Sequence, residues 1–103
     1  MTASLEEVEA RLNLETGQIA WRDLQRYFAG GRLLVLDDAL DLVKTAALFA
    51  EDQAGEVETL LKANRLVPAS TAQARRWQET DAVFWAVVVA PWVLVQEINP
   101  ATA

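Results

Sequence analysis

The chain has 103 residues, 52% of them apolar, which suits one domain able to close a single hydrophobic core. Fifteen acidic residues against nine basic ones and no histidine give a net charge of −6, a sign that repels phosphate backbones and anionic lipid headgroups and excludes nucleic acid and membrane surfaces as partners. Without cysteine or histidine there is no thiol nucleophile, disulfide, thiolate or imidazole ligand, so most familiar catalytic constellations cannot be assembled.

The first residues carry neither a basic region nor an apolar stretch of the secretory kind, and the reading is a cytoplasmic protein. Ser4 and Glu7 have the spacing of a capping box, after which Leu5, Val8 and Leu12 fall on one helical face. Gly17 interrupts that helix, and Ile19, Ala20, Leu24, Tyr27 and Phe28 then recur at helical spacing until Gly30-Gly31. Leu33 to Leu36, a short aliphatic run between Gly-Gly and Asp-Asp, predicts a buried strand. Asp38 is expected to cap a deeply buried helix through Ala50, with only Asp41, Lys44 and Thr45 facing water.

Glu51-Asp52-Gln53 precedes a shorter helix with Val57, Leu60 and Leu61, ending near Asn64. Leu66-Val67-Pro68 reads as a strand confined to an edge or a strand end, because proline has no N–H for the ladder. Ser70 with Gln73 opens a two-turn helix anchored by Trp77. From Val83 to Val89 the chain is rich in β-branched and aromatic residues without polar alternation, so both faces of that strand should be covered. Pro91 then kinks the run, and Trp92 to Val95 forms a further strand segment. The apolar stretch from Ala82 to Val95 is 14 residues, short of the roughly 20 needed to cross a bilayer.

These elements predict a single α+β domain over residues 1–98, with a small mixed or antiparallel sheet of two to four short strands and four to five helices, followed by a frayed tail over 99–103.

The segments LNLETGQIAWRDLQRYFA from Leu12 to Ala29, LDLV from Leu40 to Val43 and AVVVAPWVLVQE from Ala86 to Glu97 resemble a family of small bacterial proteins, the domain-of-unknown-function family numbered 2288. The likeness spans nearly the whole chain. It implies a free-standing bacterial cytoplasmic protein and brings no activity, substrate, cofactor or catalytic residue with it.

Asp37, Asp38 and Asp41 follow the first predicted strand. Their first reading is helix capping and their second is a Mg2+ site. Arg22, Arg26, Arg32, Arg65, Arg75 and Arg76 could hold an anionic ligand, but with fifteen carboxylates present, ion pairing is the default. Trp21, Trp77 and Trp85 are read as core, whereas Trp92, after a proline, is the tryptophan expected at a subunit contact or pocket rim.

If the helices cover one sheet face, a second copy is the simplest cover for the other. The first functional reading is therefore a non-enzymatic, self-associating module, a homodimer that also binds another protein, with Val87, Val89, Trp92 and Leu94 as buried or interfacial anchors and Gln96 and Glu97 at the rim. The alternative is a small anionic-ligand binder or weak Mg-dependent hydrolase using Asp37, Asp38 and Asp41. The first reading needs no cofactor.

Overall fold

A computed structural model describes residues 4–98 apart from the side chain of Leu5, and the tail over 99–103 lies outside the described residues. Helix α1 (Leu5–Glu15) starts where the Ser4 hydroxyl accepts the Glu7 N–H at 3.2 Å, and it directs Val8 and Leu12 into the core. At its other end the Thr16 hydroxyl donates to the Leu12 carbonyl at 2.7 Å while the Thr16 backbone is already extended. The chain therefore enters a strand, β1 (Gly17–Ala20), where the sequence had suggested a helix broken at Gly17. Ile19 and Ala20 belong to this strand, and α2 (Trp21–Ala29) begins directly after it.

Gly31 closes α2 at φ 71°, a left-handed conformation that any Cβ would strain. Strand β2 (Leu33–Leu36) is buried as expected. The next cap is Asp41, whose carboxylate accepts the Lys44 N–H at 2.9 Å, rather than Asp38, and α3 spans Leu42–Ala50. Thr45 is buried instead of facing water. Its hydroxyl donates to the Asp41 carbonyl at 2.9 Å, so burial leaves no polar group unpaired there.

Helix α4 (Ala54–Lys62) leads to β3 (Leu66–Pro68), and α5 (Thr71–Thr80) follows with both halves of its Ser70–Gln73 capping box formed. Its 10 residues make nearly three turns rather than two. Strands β4 (Val83–Val89) and β5 (Trp92–Glu97) complete the fold. They are two strand segments, as expected, but the chain reverses at Ala90-Pro91 rather than kinking there: that peptide bond is cis, and Val89 pairs with Trp92 in an antiparallel hairpin.

The sheet has five strands, one more than the upper expectation, in the order β1-β4-β5-β2-β3. It is mixed: β5 runs parallel to β2, and every other neighbouring pair is antiparallel. These directions make β1–α2–β2 and β3–α5–β4 crossovers between parallel strands, travelling opposite ways along the sheet. The near-universal right-handedness of such connections places both helices on the same face.

That face holds a core of Trp21, Leu24, Leu33, Ala74, Trp77, Phe84, Val93 and Val95. The opposite face is left to α1, α3 and α4, which close a second core with Leu34, Leu36, Leu66, Val87, Val89 and Leu94. The result is a three-layer domain with the sheet in the middle. Aromatic rings consolidate the α2/α5 side. Trp77 lies edge-on to Phe84 with centroids 4.8 Å apart, and Trp21 packs on Trp77 at 5.3 Å.

Candidate functional site

The residues expected to anchor a subunit contact lie within the chain's own packing. Val87, Val89 and Leu94 point into the core beneath α1 and α3, and Trp92 is half-buried against the same cluster. The Gln96 amide donates to the Asp37 and Leu40 carbonyls at 3.0 and 2.6 Å, tying β5 to the loop before α3. Glu97 accepts from the indole N–H of the buried Trp77 at 3.1 Å and from Arg76 at 3.3 Å, joining β5 to α5. Helices from this chain lie on both faces of the hairpin, so covering its last strand requires no second copy.

What remains open lies at one end of the sheet. Val83 and Trp85 share a face of β4 and are 39% and 43% exposed, contrary to a strand covered throughout and to a core role for Trp85. Trp85 sits in a depression of about 270 Å3 with Asn13, Thr16, Leu42 and Gln96. On the opposite face Val88 is 56% exposed, beside a shallow hollow lined by Gly17, Tyr27, Ala86 and Val93. On one face α1 ends at Glu15 and leaves Val83 and Trp85 partly open; on the other, α2 sets Leu24 and Tyr27 beside Ile19 of β1 and leaves Val88 open.

Strand β1 forms the border of this region, and its outer edge is bare. The Trp21 N–H donates to the Ala82 carbonyl at 2.9 Å, which sets the phase of the antiparallel ladder. Gly17 and Ile19 therefore direct their backbone groups to β4, while Gln18 and Ala20 turn N–H and C=O outward. Nothing in Gly-Gln-Ile-Ala blunts that edge, since it lacks charge and proline. The opposite border is treated differently. The same reasoning from the 2.8 Å bond between the Asp37 N–H and the Arg65 carbonyl puts Pro68 at an outward position of β3, where it has no N–H to offer.

The carboxylates Asp37, Asp38 and Asp41 do not converge. Asp37 accepts the Ala39 N–H at 3.2 Å and faces Arg65 at 3.4 Å, and Asp41 caps α3. Among the described residues no group of three or more carboxylates could hold a metal ion. Of the six arginines considered for anion binding, Arg65 and Arg76 pair with Asp37 and Glu97. Arg26 lies over the Tyr27 ring at 4.9 Å, on the exposed side of α2.

Sequence reasoning missed Val83, Trp85 and Val88 because an uninterrupted apolar strand looks the same whether or not helices reach over its end. The available signal was Gly17-Gln18, too polar and flexible for a helix interior and too short to stand out as a strand.

The molecule is thus a small α+β protein with its sheet clad on both faces, presenting an open strand edge and an apolar patch. It belongs to the family described as Protein of unknown function (DUF2288), whose model matches residues 7–97. It is similar to PA1075 from Pseudomonas aeruginosa, a protein with an NMR solution structure, at 40% identity over 100% of this chain and 95% of that one, with a TM-score of 0.79. No curated protein matches the chain. Among the described residues no helix is long and apolar enough to cross a membrane.

Proposed function

We propose that this protein is a non-enzymatic, self-associating interaction module of the bacterial cytoplasm, which pairs through the outer edge of β1. The observation that carries this reading is the unprotected Gln18–Ala20 backbone, set next to the exposed Val83 and Trp85 while the other sheet border is blunted by Pro68. Two β1 edges meeting antiparallel about an axis normal to the sheet would join the two sheets into one. The exposed tryptophan of each copy would then flank the seam, as aromatic residues do at the energetic centres of interfaces. A contact built on four residues per strand is small, and the resulting dimer is weak and reversible.

The test is sedimentation velocity over a concentration series of the wild-type chain, Gln18→Pro and Trp85→Ala. Proline at 18 removes an outward N–H, leaves the bonds to β4 intact and follows a glycine, which tolerates a succeeding proline. The wild type should pass from monomer to dimer, Gln18→Pro should stay monomeric with an unchanged far-UV spectrum, and Trp85→Ala should weaken pairing. Each copy carries a charge of −6, so added salt should strengthen the dimer. A wild type that remains monomeric at high micromolar concentration, or a dimer indifferent to Gln18→Pro, would overturn the proposal.

A further inference from the structure

The two helical layers differ in charge. Residues 5–15 and 42–62, which build the layer of α1, α3 and α4, hold eight carboxylates against Arg11, Lys44 and Lys62. The layer of α2 and α5 holds Arg22, Arg26, Arg75 and Arg76 against Asp23 and Glu79. The acidity of the protein is therefore concentrated on one side of the sheet.

On that side α3 lies between α1 and α4, and a trough of about 470 Å3 runs over it. Lys44, Ala47, Leu48 and Glu51 form its floor, at the i, i+3, i+4, i+7 spacing of a single helical stripe. The middle of this stripe is apolar: Ala47, buried in the chain's own core at 2% exposure, and the half-buried Leu48. Glu9 from α1 and Glu56 from α4 stand as the walls, with Gln53 at one end. Among the described residues Glu9, Glu51 and Glu56 are not within ion-pair distance of any cation, and Lys44 is the single positive charge lining the trough.

We infer that this trough is a docking site for a basic amphipathic helix of another protein, with an apolar residue seated against Leu48 and flanking Lys or Arg residues reaching Glu9, Glu51 and Glu56. The half-buried Leu48 gives the guest an apolar contact, and three carboxylates along the trough select guests by charge. The surface is separate from the β1 edge, so this inference stands or falls independently of self-association.

Fluorescence anisotropy in the monomeric Gln18→Pro background tests it with three synthetic peptides. One is an amphipathic Leu/Lys helix, one has the same pattern in Leu/Glu, and one has the same lysine charge with serine replacing leucine. The Leu/Lys peptide should bind, more weakly as salt rises, and the other two should bind at least about tenfold more weakly. Combining Glu9→Gln, Glu51→Gln and Glu56→Gln should lower the Leu/Lys affinity about tenfold, the scale expected of three exposed ion pairs. Leu48→Gln should reduce binding severalfold, and Glu79→Gln on the other layer should leave it unchanged.

Equal binding of the Leu/Glu or Lys/Ser peptide would overturn the inference, as would a triple variant indistinguishable from Glu79→Gln with native far-UV spectrum and urea midpoint. Association of the Gln18→Pro variant with itself in sedimentation velocity, abolished by the triple Glu→Gln variant, would overturn it in favour of the basic layer of a second copy. Failure here with self-association intact would remove the trough alone.

Discussion

The assignment of Trp77 to the core and Trp85 to the surface predicts a large difference between two truncations of the same residue type. Trp77 is fully buried, edge-on to Phe84 and stacked at a tilt on Trp21. Trp77→Ala removes the ring from a site closed by two other rings, leaving a cavity that rigid neighbours cannot fill, and should cost about 3–5 kcal/mol. The lost hydrogen bond to Glu97 adds little, because that carboxylate is 33% exposed and takes water instead. With a urea slope of about 2 kcal/mol per molar, the midpoint should fall by about 2 M, a large share of the roughly 5–15 kcal/mol that holds a domain together.

Trp85→Ala withdraws a ring already 43% in solvent and should cost about 2 kcal/mol, well short of the Trp77→Ala loss. Unfolding should be followed by far-UV circular dichroism, since both variants alter the fluorescence signal. Should Trp77→Ala fail to fold, Trp77→Phe, which retains most of the buried volume and loses the N–H donor, should cost about 1–2 kcal/mol. Equal destabilisation by Trp85→Ala and Trp77→Ala would refute the reasoning, because it would make Trp85 a core residue and remove the exposed patch.

Three further outcomes follow from local structure. Asp41→Ala should cost about 1 kcal/mol in urea unfolding, through loss of the α3 cap, while Asp38→Ala should stay within about 0.5 kcal/mol. Gly31→Ala should destabilise by about 1 kcal/mol although its Cβ would meet no atom within 4 Å, because its φ of 71° is unfavourable for alanine, whereas Gly17→Ala should be neutral or slightly stabilising. Millimolar Mg2+ should leave the melting temperature unchanged, since Asp37 and Asp41 are held apart by different backbone partners.

Local signals read well where a side chain satisfies its own neighbourhood. Ser70 with Gln73 needs nothing beyond four residues to form a capping box, and Gly31, Asn64 and Pro68 impose conformational rules wherever they stand. Asp41 was misplaced by the same logic. Asp38 and Asp41 both offer a carboxylate ahead of an apolar run, and the choice between them depends on the loop that Gln96 holds through the Asp37 and Leu40 carbonyls. That contact is 56 residues away in the chain for Leu40, beyond any local pattern.

The sequence alone thus determined an acidic α+β domain lacking thiol and imidazole chemistry, most of its helices, and a hydrophobic terminal strand region, because composition and short-range periodicity carry that information. Only the tertiary structure decided which layer each helix joins. The handedness of two crossovers sends α2 and α5 to one face, and that division turns scattered carboxylates into an acidic surface with a trough over α3. It also decided that Trp85 reaches solvent while Val87 two residues on is buried, since a strand position is covered only if a helix of sufficient length happens to pass above it.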